Sequence, residues 1–422
     1  MQNAPRPLPL SPLAVAAVSY ALLPLVIFAI WWLTMGETPM IEHRQVRLVL
    51  GFQGLVLLLA ALSGLSRRHF RGMLTRAETA ALFGFLAVFI GSTLFVAVDP
   101  AAGFARGSLR GLAVLTGVAL MFLASQAPRH GLDGISAALI LQPLLHVPAL
   151  AFLYFAYASP DTVMLNWLGG PPGFWHVRIW GMVLAAALAA LIGSYAGRDA
   201  PGRGPQALVF ALTALLAMLL AWSGSRGSIV GLGAGLVLMG LVFPRRTVRS
   251  AALVLPALLL GGALSLLLTP PLYAYGLVGG VAETLEAGTL NAASAGRLQM
   301  WGDALTLIAE RPLFGYGHDQ FVQVYTDGPL RALQPHNTLV SFLFDFGVVG
   351  GGCLAFLILS LWWRGTARVR RPGNGWKLSG FLVVATMAGA SFFDGVLYHE
   401  IPILIVAMGF AILFAEPRAP RP

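Results

Sequence analysis

The chain has 422 residues, of which 57% are apolar and only 10% charged, against roughly a quarter charged in soluble domains, so a water-soluble globule is excluded. Its formal net charge of +10 comes from 27 basic side chains, 26 Arg and the single Lys377, scattered singly between apolar runs; no basic domain is left to grip a nucleic-acid backbone. One cysteine, Cys353, sits inside an apolar run, which rules out an internal disulfide or a Cys-based metal cluster.

In chain order, apolar runs occur near residues 12–34, 47–65, 78–98, 108–126, 133–157, 178–197, 205–222, 229–243, 250–268, 337–362, 378–397 and 401–415. A membrane-crossing helix takes about 20 mostly apolar residues, so the roughly 240 apolar positions furnish on the order of a dozen. The pattern predicts an all-α, polytopic helical membrane protein, one integral domain over residues 1–422 with about twelve transmembrane helices. The first run exceeds a signal-peptide core and reads as a retained helix, which puts both termini on one side. Positive charge near span ends favours the cytoplasm. With the N-terminus inside, the cytoplasmic segments hold 18 of the 27 basic residues, a bias that supports this orientation.

Between the ninth and tenth runs lies the longest polar excursion, residues 269–335, and long loops in compact proteins are commonly functional. This large loop faces outward in the orientation above. Within it Leu298, Trp301, Leu305 and Ile308 recur at helical spacing until Arg311 and Pro312, which predicts a short amphipathic helix with Ser294 as N-cap and Arg297 in the first turn. A cation there opposes the helix dipole and points to a bound anion, contact with lipid headgroups being the alternative. Residues 312–317 read as a glycine-hinged structural turn.

His336, between Pro335 and Asn337, opens the tenth run. The positive end of the helix dipole disfavours imidazolium, which leaves the ring able to accept a proton as a general base must. Two more arginines sit at outward span ends: Arg178, after Phe174, Trp175 and His176, and Arg226, within Ser223-Gly-Ser-Arg-Gly227. Acidic partners are scarce nearby in sequence, and an unpaired arginine near a bilayer is expensive. The planar guanidinium fork matches phosphate oxygens. Arg178, Arg226 and Arg297 are therefore candidate holders of a lipid-borne phosphate or pyrophosphate, with Asn337, Arg311 and His176 as secondary candidates. Asp303, Glu310, Asp319 and Asp327 show no metal-cage spacing and read as ion pairs. Asp345, nine residues beyond His336 and on the opposite helix face, reads as a buried partner for a neighbouring segment.

The ordered set of Arg178, then Ser225-Arg226-Gly227, then Arg297 with Trp301, then Pro312 with Gly315 and Gly317, then His336-Asn337 followed by Gly347 and Gly350 resembles the O-antigen ligase and polymerase superfamily of polytopic envelope proteins, over about residues 174–351. The resemblance implies a ligase-type glycosyltransferase that moves O-antigen glycan from an undecaprenyl pyrophosphate donor to a lipid A-core acceptor in lipopolysaccharide assembly. It implies no cofactor and no metal. It also implies residence among the lipids of the bacterial inner membrane, a site facing the periplasm and cytoplasmic termini. His336 would deprotonate the acceptor hydroxyl. Arg178, Arg226 and Arg297 would hold the pyrophosphate, with inversion at the donor carbon. Asn337 would orient the histidine or a phosphate oxygen, or cap the helix. An O-antigen polymerase with the same class of donor is the nearest alternative. A membrane transporter is the alternative of another class, against which the polar residues crowd one face rather than the midplane.

Overall fold

The computed structural model describes residues 11–33, 39–66, 69, 72–127, 134–157, 177–198, 203–268, 276–326 and 333–416. Among these residues the chain is helical, with no strand. Nine helices come first: α1 (Pro12–Leu33), α2 (Pro39–Leu62), α3 (Arg76–Phe95), α4 (Pro100–Gln126), α5 (Gly134–Tyr157), α6 (Val177–Ala196), α7 (Arg203–Ser223), α8 (Arg226–Val242) and α9 (Pro244–Ser265). Four short ones follow, α10 (Gly276–Glu286), α11 (Leu290–Ala293), α12 (Arg297–Glu310) and α13 (Phe321–Val324), and then α14 (Thr338–Val369), α15 (Leu378–Ala390) and α16 (Glu400–Phe414). Eight of them, α1, α3 to α7, α9 and α14, are long and apolar enough to cross a membrane. The polytopic, all-helical expectation holds. The remaining four predicted runs fall on α2, α8, α15 and α16, whose apolar stretches are shorter.

Two boundaries differ from the apolar runs in ways that matter for the site. Helix α4 begins at Pro100 rather than near 108, because Asp99 caps it by accepting from the Ala102 amide at 3.0 Å and proline suits the first helical position. Arg106 and Arg110 are thereby carried on a helix. Helix α15 stops at Ala390, and the rest of its predicted run, together with residues 398–399, forms a succession of turns.

Helix α6 is apolar all round and rich in alanine, the pattern of a helix enclosed by others; nearly all of its residues are buried. It packs against α5, α7, α8 and α15. Small residues set how closely these neighbours approach. At Gly231 of α8 a Cβ would lie 2.7 Å from the Thr386 carbonyl oxygen and the Ala390 nitrogen of α15, so α8 and the turn after α15 emerge side by side.

Helix α14 is broken at Gly347, whose φ of 62° and ψ of −170° leave the helical region. The break frees backbone groups that cannot stay unpaired in a bilayer. Residues 312–317 pair with them: Tyr316 N donates to Phe344 O at 2.9 Å, Gly317 N to Asp345 O at 3.0 Å, Val348 N to Pro312 O at 2.8 Å and Val349 N to Leu313 O at 3.2 Å. The loop thus replaces the missing helical turn. At the far end of α14, Arg364 pairs with the buried Glu78 of α3, and Lys377 donates to the carbonyls of Leu413 and Ala415 at the end of α16, at 3.0 and 2.7 Å.

Candidate active site

One end of the bundle gathers the first turns of α6, α8, α12 and α14 around the turns of residues 391–399. His336 immediately precedes the N-cap of α14 and adopts a φ of 53°, a left-handed conformation that costs a non-glycine residue energy and tends to mark functional positions. It is held from both sides. Trp301 Nε1 of α12 donates to the Pro335 carbonyl at 2.7 Å. Asn337 Oδ1 accepts from the amides of Leu339 and Val340 at 3.0 and 3.2 Å, and its Nδ2 donates to Phe392 O at 3.2 Å. Of the roles expected for Asn337, the structure therefore gives helix capping, with a tie to the 391–399 turns added.

His336 Nδ1 lies 3.1 Å from Asp394 Oδ1. Asp394 is 6% exposed, and burial opposes its ionisation. The hydrogen bond from His336 and the positive charges of Arg178 and Arg297 outweigh that penalty and hold the carboxyl well below the usual carboxylate range. An ionised carboxylate can only accept, so Nδ1 carries the proton and Nε2 is the basic nitrogen. Arg178 Nη1 of α6 is 3.4 Å from the same Nδ1. No described residue makes a hydrogen bond to His336 Nε2, and the side chain is 25% exposed, open enough to meet a hydroxyl.

Asp394 does not stand out in the sequence because it lies within the apolar run 378–397. The signal is present: a carboxylate inside such a run is costly and marks function.

Arg297 is the first residue of α12, as expected, but the N-cap is Gly296, with a φ of 76°, rather than Ser294. Ser294 Oγ still accepts from a first-turn amide, that of Leu298, at 3.2 Å. Arg297 Nη1 donates to the Phe393 carbonyl at 2.7 Å. Burial, then the like charge of Arg178, pushes this guanidinium down to about 10; Asp394 opposes the shift and Arg226 adds to it. Arg178 and Arg226 therefore both lie in the electrostatic neighbourhood of Arg297. Arg226 is tied to α10. It donates to Gly280 O at 3.1 Å and to Thr284 Oγ1, and pairs with Glu283 at 3.6 Å, all on α10. The scarcity of acidic partners held in sequence but not in space. Arg311 ends α12 and lies over the Tyr316 ring, 4.8 Å from its centroid, a packing role away from His336. His176 lies outside the described residues.

A second histidine–aspartate pair lies deeper in the bundle. His318 Nδ1 is 3.0 Å from Asp345 Oδ2, and its Nε2 is in hydrogen-bond contact with Arg110 Nη1. Asp345 thus has a partner from the 316–320 loop rather than from a neighbouring span. An arginine can only donate, so this Nε2 is already used as an acceptor. Among the described residues, only His336 couples a carboxylate-oriented ring to an open Nε2. Among the described residues, no group of three or more His, Cys, Asp or Glu side chains is placed to hold a metal ion.

Residues 211–355 match the family described as O-Antigen ligase. The superfamily resemblance carried by the motifs holds over that segment, which contains Arg226, Arg297, Arg311, His336 and Asn337. Arg178 and Asp394 fall outside it and are brought in by the fold. The chain is also similar to a protein named O-antigen ligase from Pseudomonas aeruginosa, with 34% identity over 137 residues, or 32% of this chain and 29% of that relative. The similarity thus spans less than a third of either chain.

Proposed function

We propose that the protein is an O-antigen ligase, a glycosyltransferase of the inner membrane that joins glycan from undecaprenyl pyrophosphate to lipid A-core at the periplasmic face. The reading rests chiefly on one observation: His336, with Nδ1 committed to Asp394, presents an open Nε2 beside Arg178 and Arg297. In the step it supports, the acceptor hydroxyl gives its proton to Nε2 as its oxygen bonds to the donor's anomeric carbon. The bond from that carbon to the pyrophosphate oxygen breaks, its electron pair leaves on the pyrophosphate, and the configuration inverts. Asp394 stabilises the imidazolium that forms. The leaving group departs as an anion, so fixed cations serve it better than an acid would. Arg178, Arg226 and Arg297 bring fixed cationic forks to this neighbourhood, the groups that suit pyrophosphate oxygens.

Lipopolysaccharide gels of a deletion strain test the assignment. Loss of every O-antigen band, with free core and accumulated lipid-linked glycan, is the expected result. Retention of a single repeat on the core would instead identify a polymerase, and an unchanged ladder would refute both.

A further inference from the structure

We propose that Arg110 is a positioning residue for the His336–Asp394 pair, acting through the backbone of residues 394–398. The proposal rests on the reading of His336 as the general base. Asp394 lies in turns between two helices, where nothing regular fixes a side chain, yet a proton-transfer pair works only when held within a fraction of an ångström. The structure supplies anchors on both sides. Toward the N-terminal side, Arg297 Nη1 donates to Phe393 O at 2.7 Å. Toward the C-terminal side, Arg110 Nε of α4 donates to Tyr398 O at 2.9 Å, with its guanidinium 4.4 Å from the Tyr398 ring centroid. Short bonds carry that hold back to the carboxylate: Tyr398 N donates to Gly395 O and Val396 N to Asp394 O, both at 3.0 Å, and Gly395 N to Asp394 Oδ1 at 2.8 Å. Asp394 is strung between two arginines.

Arg110 is itself rigidly placed. It is 9% exposed; Nη2 donates to Asp319 Oδ1 at 3.1 Å and Nη1 contacts His318 Nε2, whose ring is bound to Asp345. One guanidinium therefore ties together α4, residues 318–319 just after the segment that fills the break of α14, and the turn that carries Asp394. The cluster holds Arg106 and Arg110 against Asp319 and Asp345, a balance that leaves no surplus charge for an anion and marks a clamp rather than a second substrate site. A lysine, with a single compact ammonium, cannot reproduce a fork that serves three segments.

Purified protein reconstituted with lipid-linked donor and lipid A-core compares Arg110→Lys, Asp394→Asn and the double variant. The expected result for Arg110→Lys is a fall in kcat of about tenfold with donor KM within about twofold, and a double variant no slower than Asp394→Asn alone. Losses that multiply, or a kcat within about twofold of the unaltered protein, would overturn the proposal. Should Arg110→Lys fail to accumulate folded, Asp319→Asn, which releases one anchor of the guanidinium, takes its place with the same criterion. A second readout needs no turnover: the ring-nitrogen resonances of His336 in Arg110→Lys should move toward those of Asp394→Asn, and unmoved resonances contradict the clamp. Unaltered protein that transfers nothing would sink the ligase reading, while the resonances would still judge the clamp.

Discussion

In the proposed transfer step the chemistry turns on which nitrogen of which histidine is open, and two residues make the difference. Asp394 fixes the His336 tautomer, whereas Arg110 occupies the corresponding nitrogen of His318. Asp394→Asn should lower transfer on the order of 10²-fold or more, because an amide can donate to Nδ1 and support the wrong tautomer; activity within a factor of two would contradict the orienting role. The same carboxyl predicts a pH dependence of stability. Its folded value is depressed below the ordinary value of about 3.9, so its contribution is present above that pH and is lost as pH falls toward the folded value. The gap in thermal stability between the unaltered protein and Asp394→Asn should be flat above about pH 5 and shrink below about pH 4. Arg297 shows the opposite sign: its depressed value means that the charged form costs stability at any pH below about 10, a cost that a bound anion relieves. Inorganic pyrophosphate in hundredfold excess over its Kd should stabilise the protein by about 2.7 kcal/mol, and Arg297→Ala should remove most of that gain. Equal stabilisation of both proteins would count against the anion site. His336 and Arg178 are legible in the sequence because each stands at the polar end of an apolar run, and Arg297 because it opens an amphipathic pattern within the polar loop. Asp394 is not, since 58 residues separate it from His336 and only the folded turn joins them.

Among the elements, the kinked α14 carries most of the local design. Its first segment presents His336 and caps itself with Asn337, while the break at Gly347 admits the loop that bears His318. Gly347→Ala would set a side chain at a φ of 62°, with Cβ 2.3 Å from the Leu313 carbonyl carbon; the strained backbone alone costs about 1–3 kcal/mol. The melting temperature should fall accordingly, and an unchanged one would mean that the loop does not fill the break. The run near 337–362 announces a helix, and its four glycines at 347, 350, 351 and 352 suit close packing. The break itself could not be read there, because glycine in an apolar run marks close helix contact as readily as a kink. The end of α15 was hidden for a related reason: Phe392, Phe393 and Val396 keep the pattern apolar after the helix has stopped.

For the molecule as a whole, composition alone carried the architecture, since a chain this poor in charge has few alternatives to a bundle of apolar helices in a bilayer. Orientation rests on the distribution of arginines. With Cys353 replaced by Ser, a cysteine at exposed Gln299 of α12 should react with a membrane-impermeant thiol reagent in cells with a permeabilised outer membrane, and one at exposed Arg245 should react only after the inner membrane is opened; the reverse pattern would invert the topology. What the bundle achieves is the convergence of one imidazole, just ahead of α14, with the guanidiniums of three other helices, α6, α8 and α12. The most direct test is transfer by reconstituted protein bearing His336→Ala beside protein bearing His318→Gln. The account predicts that His336→Ala abolishes transfer yet still binds lipid-linked donor, while His318→Gln keeps a measurable rate; full activity in His336→Ala would contradict it.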